Sequence, residues 1–187
     1  LVAAAALEHE EEKALVLDAC AGAGSRALRY ARDLRCAGRV VANEPNVDSG
    51  LEANARAFGG VVEVEHRDAR GFLSSYCGQA GVVDCDSFGL SLDVSVAVRA
   101  AKDGGLVLLT TTGPAAAGAT NKRAALAHLG ATSGKIPGSQ NELGLRMLMG
   151  RAAAAAAADG AQLAPLCSLY APHGPVFRVA ARIDRKR

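Results

Sequence analysis

Apolar residues fall in short runs, and between the runs lie longer stretches with helical spacing. Ala14-Leu15-Val16-Leu17 is a compact apolar run that stops at Asp18, the pattern of a buried strand. Gly22-Ala23-Gly24-Ser25 reads as a turn, with Gly24 or Ser25 opening a helix that runs through Arg35. Arg39 to Ala42 is a second strand, ending at Asn43-Glu44, and Asn46 or Asp48 is placed to cap the helix that follows. Gly59-Gly60 marks the far end of that helix. Val61 to Glu65 forms a third strand ahead of Asp68, and Gly81-Val82-Val83 leads through Asp84-Cys85-Asp86 as a fourth. Leu92 to Lys102 has helical spacing closed by Asp103-Gly104-Gly105, and Leu106 to Leu109 is a fifth strand running into three threonines.

Strands alternating with helices through short connections predict an α/β fold, a doubly wound and mostly parallel sheet covered on both faces. The flanks complete it. Leu1 to Lys13 is an alanine- and glutamate-rich helix, and the region from Pro114 to Gly138 is loop with one short helix. Gln140 to Asp159 is a long helix, and Leu163 to Tyr170 and Val176 to Ile183 are closing strands, giving the sheet an antiparallel edge. Residues 1–187 are expected to be one domain, part of a longer protein.

In such sheets, ligands bind beyond the carboxyl ends of the strands. Those ends are acidic here: Asp18, Glu44, Asp68 and Asp86 follow strands one to four. One such acid is as readily a helix cap or a solvated edge, but four in succession point to a site. The first loop, Gly22 to Ala27, also fits G-x-G-x-x-A, with Glu44 at the spacing of a ribose-binding acid, so a nicotinamide oxidoreductase has to be weighed. Charge decides against it. A dinucleotide sets its pyrophosphate at this loop, where Asp18 repels it. S-adenosylmethionine carries a sulfonium and an ammonium instead. Asp18 then attracts, Gly22 and Gly24 let the backbone come close, Glu44 accepts from the ribose hydroxyls and Asp68 from the adenine amine.

Asp86-Ser87-Phe88-Gly89 ends the fourth strand. The Asp86 carboxylate and the Ser87 carbonyl are acceptors suited to orienting an exocyclic base amine, and Phe88 suits stacking on a base drawn out of its helix. Taken alone, the tetrapeptide is read as readily as a helix cap at Asp86 with a core residue at Phe88. Methyl transfer to an amine is governed by positioning and needs no metal.

Composition narrows the setting. Half the 187 residues are hydrophobic and 21% are charged, an ordinary globular balance. A net charge of +2 is modest for a domain gripping nucleic acid unaided. The five cysteines include no C-x-x-C pair, which argues against a disulfide framework or zinc site and for a reducing, intracellular compartment. Charged residues interrupt every apolar stretch before it reaches membrane-spanning length.

The chain resembles the tRNA guanine-26 N2-dimethyltransferase family, a group of class I S-adenosylmethionine-dependent methyltransferases. The resemblance is carried, in order, by Val16-Leu17-Asp18-Ala19 with Gly24-x-Arg26-Ala27-x-Arg29-Tyr30, by Val41-Ala42-Asn43-Glu44, by Asp68-Ala69, and by Asp84 to Gly89. It continues through Ala97 to Gly105 and Asn141-Glu142-x-Gly144-Leu145-Arg146. It implies a Rossmann-like methyltransferase fold, S-adenosylmethionine as cofactor, and guanine N2 in tRNA as target. It supports Asp18, Glu44 and Asp68 as cofactor contacts and Asp86 as the catalytic acceptor; the expected site adds Gly22, Gly24 and Ala69 on the cofactor side and Ser87 and Phe88 beside Asp86. Arg26 matches a family position but is left between bracing the loop and lying on the surface. The chain departs from the family pattern at Ser87, where the family has proline, and at Glu44, where aspartate is usual. The family's upstream base-pocket segment and C-terminal tRNA-binding region are not recognisable. These departures motivate an alternative, an inactive methyltransferase-like subunit with a structural, RNA-binding or protein-binding role in a larger assembly.

Overall fold

The computed structural model describes residues 3, 6, 13–87, 94–112, 121–132 and 138–185. Seven strands form one sheet: β1 Ala14–Asp18, β2 Ala37–Asn43, β3 Glu63–Glu65, β4 Ala80–Ser87, β5 Ala101–Thr112, β6 Gln162–Ala171 and β7 Val176–Asp184. The helices are α1 Ser25–Asp33, α2 Leu51–Ala57, α3 Ala69–Ser74, α4 Val94–Ala100, α5 Lys122–Leu129 and α6 Gln140–Ala158. Strand order is β3-β2-β1-β4-β5-β7-β6. The first five strands are parallel, and β7 is inserted antiparallel between β5 and β6. This is the α/β sheet with an antiparallel closing edge that the alternating pattern predicted.

Because strand side chains alternate, the sheet separates two apolar layers. Leu17, Val41, Val83, Val107, Leu109, Phe177 and Val179 face the layer that holds α3, α4, α5 and α6 residues. Val16, Val40, Ala42, Val82, Leu106, Leu108 and Ala180 face the layer with Ala27 of α1 and Leu51 and Ala55 of α2. Order reverses between β1 and β4, so the crevice expected of a doubly wound sheet opens at their carboxyl ends.

Three local expectations are corrected. Helix α2 is capped by Gly50 at φ 81°, not by Asn46 or Asp48. The Asn46 side chain accepts instead from the Asp48 N–H, closing a small turn of its own ahead of the helix. Asp103-Gly104-Gly105 lies within β5 rather than outside it. Pairing with β4 shifts register there, and a Cβ on Gly105 would meet the Ala80 carbonyl at 2.7 Å, so the tight approach of the strands requires glycine. Helix α1 stops at Asp33, two residues before the predicted Arg35. Of residues 1–12 only Ala3 and Ala6 are described, both helical, and Phe88 lies outside the described residues. No helix among the described residues is long and apolar enough to cross a membrane.

Candidate active site

The crevice is built around one arginine. Asp18 ends β1 and stands in register with Asp84 on β4, and Asp86 follows two residues on, so all three carboxylates share one face of the sheet. Helix α1 packs on that face and turns Arg26 and Tyr30, one helical turn apart, toward them. Arg26 donates from Nη1 to Asp86 Oδ2 at 2.6 Å and from Nη2 to Asp18 Oδ1 at 3.0 Å and to the Cys20 carbonyl at 2.7 Å. Its Nε lies 3.4 Å from Asp84 Oδ2, which accepts from the Tyr30 hydroxyl at 2.7 Å.

The electrostatics follow from burial. Asp18 is fully buried, and removal from water pushes its pKa up to about 7, against the pull of Arg26 and with the push of Asp84 and Asp86. Burial likewise raises Asp84, opposed by Arg26 and Tyr30. For Arg26, burial works against the charge, but the three carboxylates outweigh it and hold the guanidinium protonated more firmly than usual. The second oxygen of Asp18 is buried with no hydrogen-bond partner, as is the Ser87 hydroxyl. A buried carboxylate oxygen without a partner is one that a hydrogen-bond donor would satisfy.

The flanking loops are tied together. Glu44, just past β2, accepts from the Gly22 N–H at 3.0 Å on Oε2 and from the Asn46 N–H at 3.1 Å on Oε1. A carboxylate has about four acceptor positions, so it keeps capacity for ribose hydroxyls. Gly22 sits at φ 55°, where a Cβ would meet nothing within 4 Å. Its outer side is therefore open for a ligand to lie against the backbone. Gly24 caps α1 at φ 89°, and a Cβ there would strike Leu51 Cδ1 at 2.6 Å. The two glycines thus serve different ends: Gly22 leaves an open side and Gly24 a close packing contact. Asp68 is the N-cap of α3, its Oδ1 accepting from the Arg70 and Gly71 N–H groups, and Ala69 is the first helical residue. For Asp68 the capping alternative is therefore realised, with Oδ1 as the capping oxygen.

Asn43, Asp84 and Tyr30 stand in the stretches that carry the family resemblance but were given no role from sequence, and Arg178 was not singled out at all. Buried Asn43 donates to the Ala19 and Arg67 carbonyls and accepts from the Arg67 N–H, joining the β1–α1 loop to the segment leading into α3. Period-two alternation on β4 places Asp84 beside Asp86, and helical spacing places Tyr30 beside Arg26, so both had a local signal. Arg178 had none; it donates to Asp86 Oδ2 at 3.2 Å across 92 residues of sequence. Among the described residues no cluster of His, Cys, Asp and Glu is arranged to hold a metal.

Comparison with known proteins shows the family and the fold. The family model for N2,N2-dimethylguanosine tRNA methyltransferase matches residues 2–187. The chain belongs to that family. It is 32% identical over 174 residues to the tRNA (guanine(26)-N(2))-dimethyltransferase of Pyrobaculum aerophilum, covering 91% of this chain and 47% of that one. It is 38% identical over 105 residues to tRNA (guanine(26)-N(2))-dimethyltransferase 1 of Arabidopsis thaliana, covering 52% and 18%. The chain thus spans about half the length, or less, of these curated family members. Among solved structures, Trm1 from Pyrococcus horikoshii in complex with S-adenosyl-L-methionine superposes with a TM-score of 0.85 at 23% identity, covering 98% of this chain and 53% of that one. That likeness establishes the class I methyltransferase fold for the family member described here.

Proposed function

We propose that this chain transfers a methyl group from S-adenosylmethionine to the exocyclic N2 of a guanine in tRNA. The observation that carries the reading is the carboxylate of Asp86, anchored at the carboxyl end of β4 beside the glycine loop and exposed enough to meet a substrate. Family membership across residues 2–187 supports the same reaction. So do the names of the relatives, tRNA guanine-26 dimethyltransferases.

The residues present suit the cofactor. Asp18 offers an unpartnered oxygen, Gly22 an open backbone, and Glu44 spare acceptor positions for the ribose. Gly24 sets the start of α1, and Asp68 and Ala69 present a carboxylate oxygen and the start of α3 to an adenine. When bound, S-adenosylmethionine supplies an electrophilic methyl on a sulfonium. The chain's own work is orientation. Asp86 accepts a hydrogen bond from the guanine amine and turns its nitrogen lone pair toward the methyl. The Ser87 carbonyl is the second acceptor, and Phe88 supplies a stacking face for the base. The proton that the amine sheds passes to Asp86 or to water. Arg26 keeps the Asp86 carboxylate in place from the cofactor side.

A tRNA substrate fits the intracellular, reducing setting expected from the cysteines. The alternative of an inactive subunit draws no support from the family match or from the relatives. Calorimetry with S-adenosylmethionine, followed by transfer of a radiolabelled methyl to an unmodified tRNA transcript bearing guanine 26, tests the reading. Binding and transfer abolished in Asp86→Ala is the expected result. Full transfer by Asp86→Ala would remove the mechanism, and absence of cofactor binding would remove the function.

A further inference from the structure

The geometry assigns Arg178, on the antiparallel strand β7, as a positioning residue that fixes the Asp86 carboxylate for the amine. The inference rests on the reading of Asp86 as amine acceptor.

Asp86 on β4 is in register with Thr110 on β5, and Thr110 with Arg178 on β7. Residues in one transverse row point to the same face of a sheet, so these three side chains lie side by side across three strands. Arg178 makes two bonds with one edge of its guanidinium. Nε donates to Thr110 Oγ1 at 2.8 Å and Nη2 to Asp86 Oδ2 at 3.2 Å. Thr110 is buried and β-branched, so its hydroxyl is a stiff anchor. The guanidinium is held at one end by the sheet and holds the carboxylate with the other.

Arg26 reaches the same oxygen from α1 at 2.6 Å, but it is also engaged with Asp18 and the Cys20 carbonyl. One tie to Oδ2 leaves a carboxylate free to rotate about its terminal torsion, which is broad and soft. A second tie, arriving from β7 rather than α1, removes that freedom. Among the described residues both bonds to Asp86 fall on Oδ2, and neither arginine covers Oδ1. The result is a single acceptor oxygen with a fixed direction. Lysine cannot replace this arrangement, because a point charge lacks the planar fork that joins Thr110 and Asp86 at once.

The test uses Arg178→Met, Arg178→Lys and Thr110→Val in the full chain with S-adenosylmethionine and unmodified tRNA. Arg178→Met is expected to lower kcat roughly 10- to 100-fold, the scale of a misplaced reacting group. KM for S-adenosylmethionine stays within about twofold, because the cofactor contacts lie on other strands. Arg178→Lys recovers only part of the loss, and Thr110→Val loses rate in the same direction. In a crystal structure of Arg178→Met the Asp86 carboxylate turns away from its present orientation. An unchanged kcat in Arg178→Met, a loss confined to a raised KM for tRNA, or an unmoved Asp86 would each overturn the assignment. Asp86→Ala separates the two readings. If it transfers methyl at the full rate, Asp86 is not the acceptor; if it is inactive while Arg178→Met is unimpaired, only the role of Arg178 falls.

Discussion

Arg26 on α1 and Asp86 on β4 meet at 2.6 Å across 60 residues of sequence, and the same guanidinium holds Asp18 at 3.0 Å. One side chain therefore links the glycine loop to the strand that carries the proposed chemistry. Removing it leaves the buried Asp18 without its cation. Arg26→Met should cost about 3 kcal/mol, the low end for a broken buried pair because Arg26 is itself partly exposed. Asp18→Asn in the same chain should recover much of that. A double-mutant cycle by urea unfolding measures the coupling, and a value near zero would show that the pair contributes nothing.

The raised pKa of Asp18 predicts a specific pH dependence. The folded chain holds the Asp18 proton up to about 7, whereas the ordinary value is 3.8. Stability from this group is complete below the ordinary value and is lost as pH rises toward the folded value. The stability difference between wild type and Asp18→Asn should therefore decline from about pH 4 to about pH 7 and level off above it. Unfolding curves at a series of pH values read this directly, and a difference that grows across the window would contradict the assignment.

Tyr30 donates to a buried carboxylate, Asp84, at 2.7 Å. Tyr30→Phe removes the hydroxyl and keeps the ring. The expected loss is about 1–3 kcal/mol, the range for an acceptor left without its partner. Thermal or urea unfolding of this one variant decides it; a change below about 0.5 kcal/mol would mean that another group satisfies Asp84.

Gly22 and Gly24 should separate two properties. Gly24→Ala drives a methyl into Leu51 at a positive φ, so it should destabilise the fold. Gly22→Ala meets no protein atom and should cost only about 1 kcal/mol of backbone strain. Its methyl occupies the open side of the loop, so its main effect should be weaker S-adenosylmethionine binding. Calorimetry and unfolding on both variants would show whether affinity and stability part in this way.

The sheet was legible because β1, β2, β4 and β5 each contain a short apolar run that gives way to a polar residue, and each helix has a glycine or a polar residue near its start. The acids at the strand ends were legible for the same reason: they mark where the apolar run stops. Their partners were harder to read. Asp18 was read as attractive to a cation, and the cation that the structure places there is Arg26, from the chain itself. Asp68 was read toward the ligand and is first of all a helix cap. The cap at Gly50 escaped notice because Asn46 and Asp48 carry the stronger local signal. Arg178 could not have been found, since the register that places it depends on β7 entering between β5 and β6.

That register has a temporal consequence. Asp18, Arg26 and Asp86 all precede β5 in sequence, but Arg178 lies 92 residues beyond Asp86. Contacts so distant in sequence form late, because the intervening loop must close before they contribute. A growing chain can assemble the glycine loop and the acid cluster well before β7 is available. The transverse row from Asp86 through Thr110 to Arg178 therefore closes after the glycine loop and the acid cluster have met.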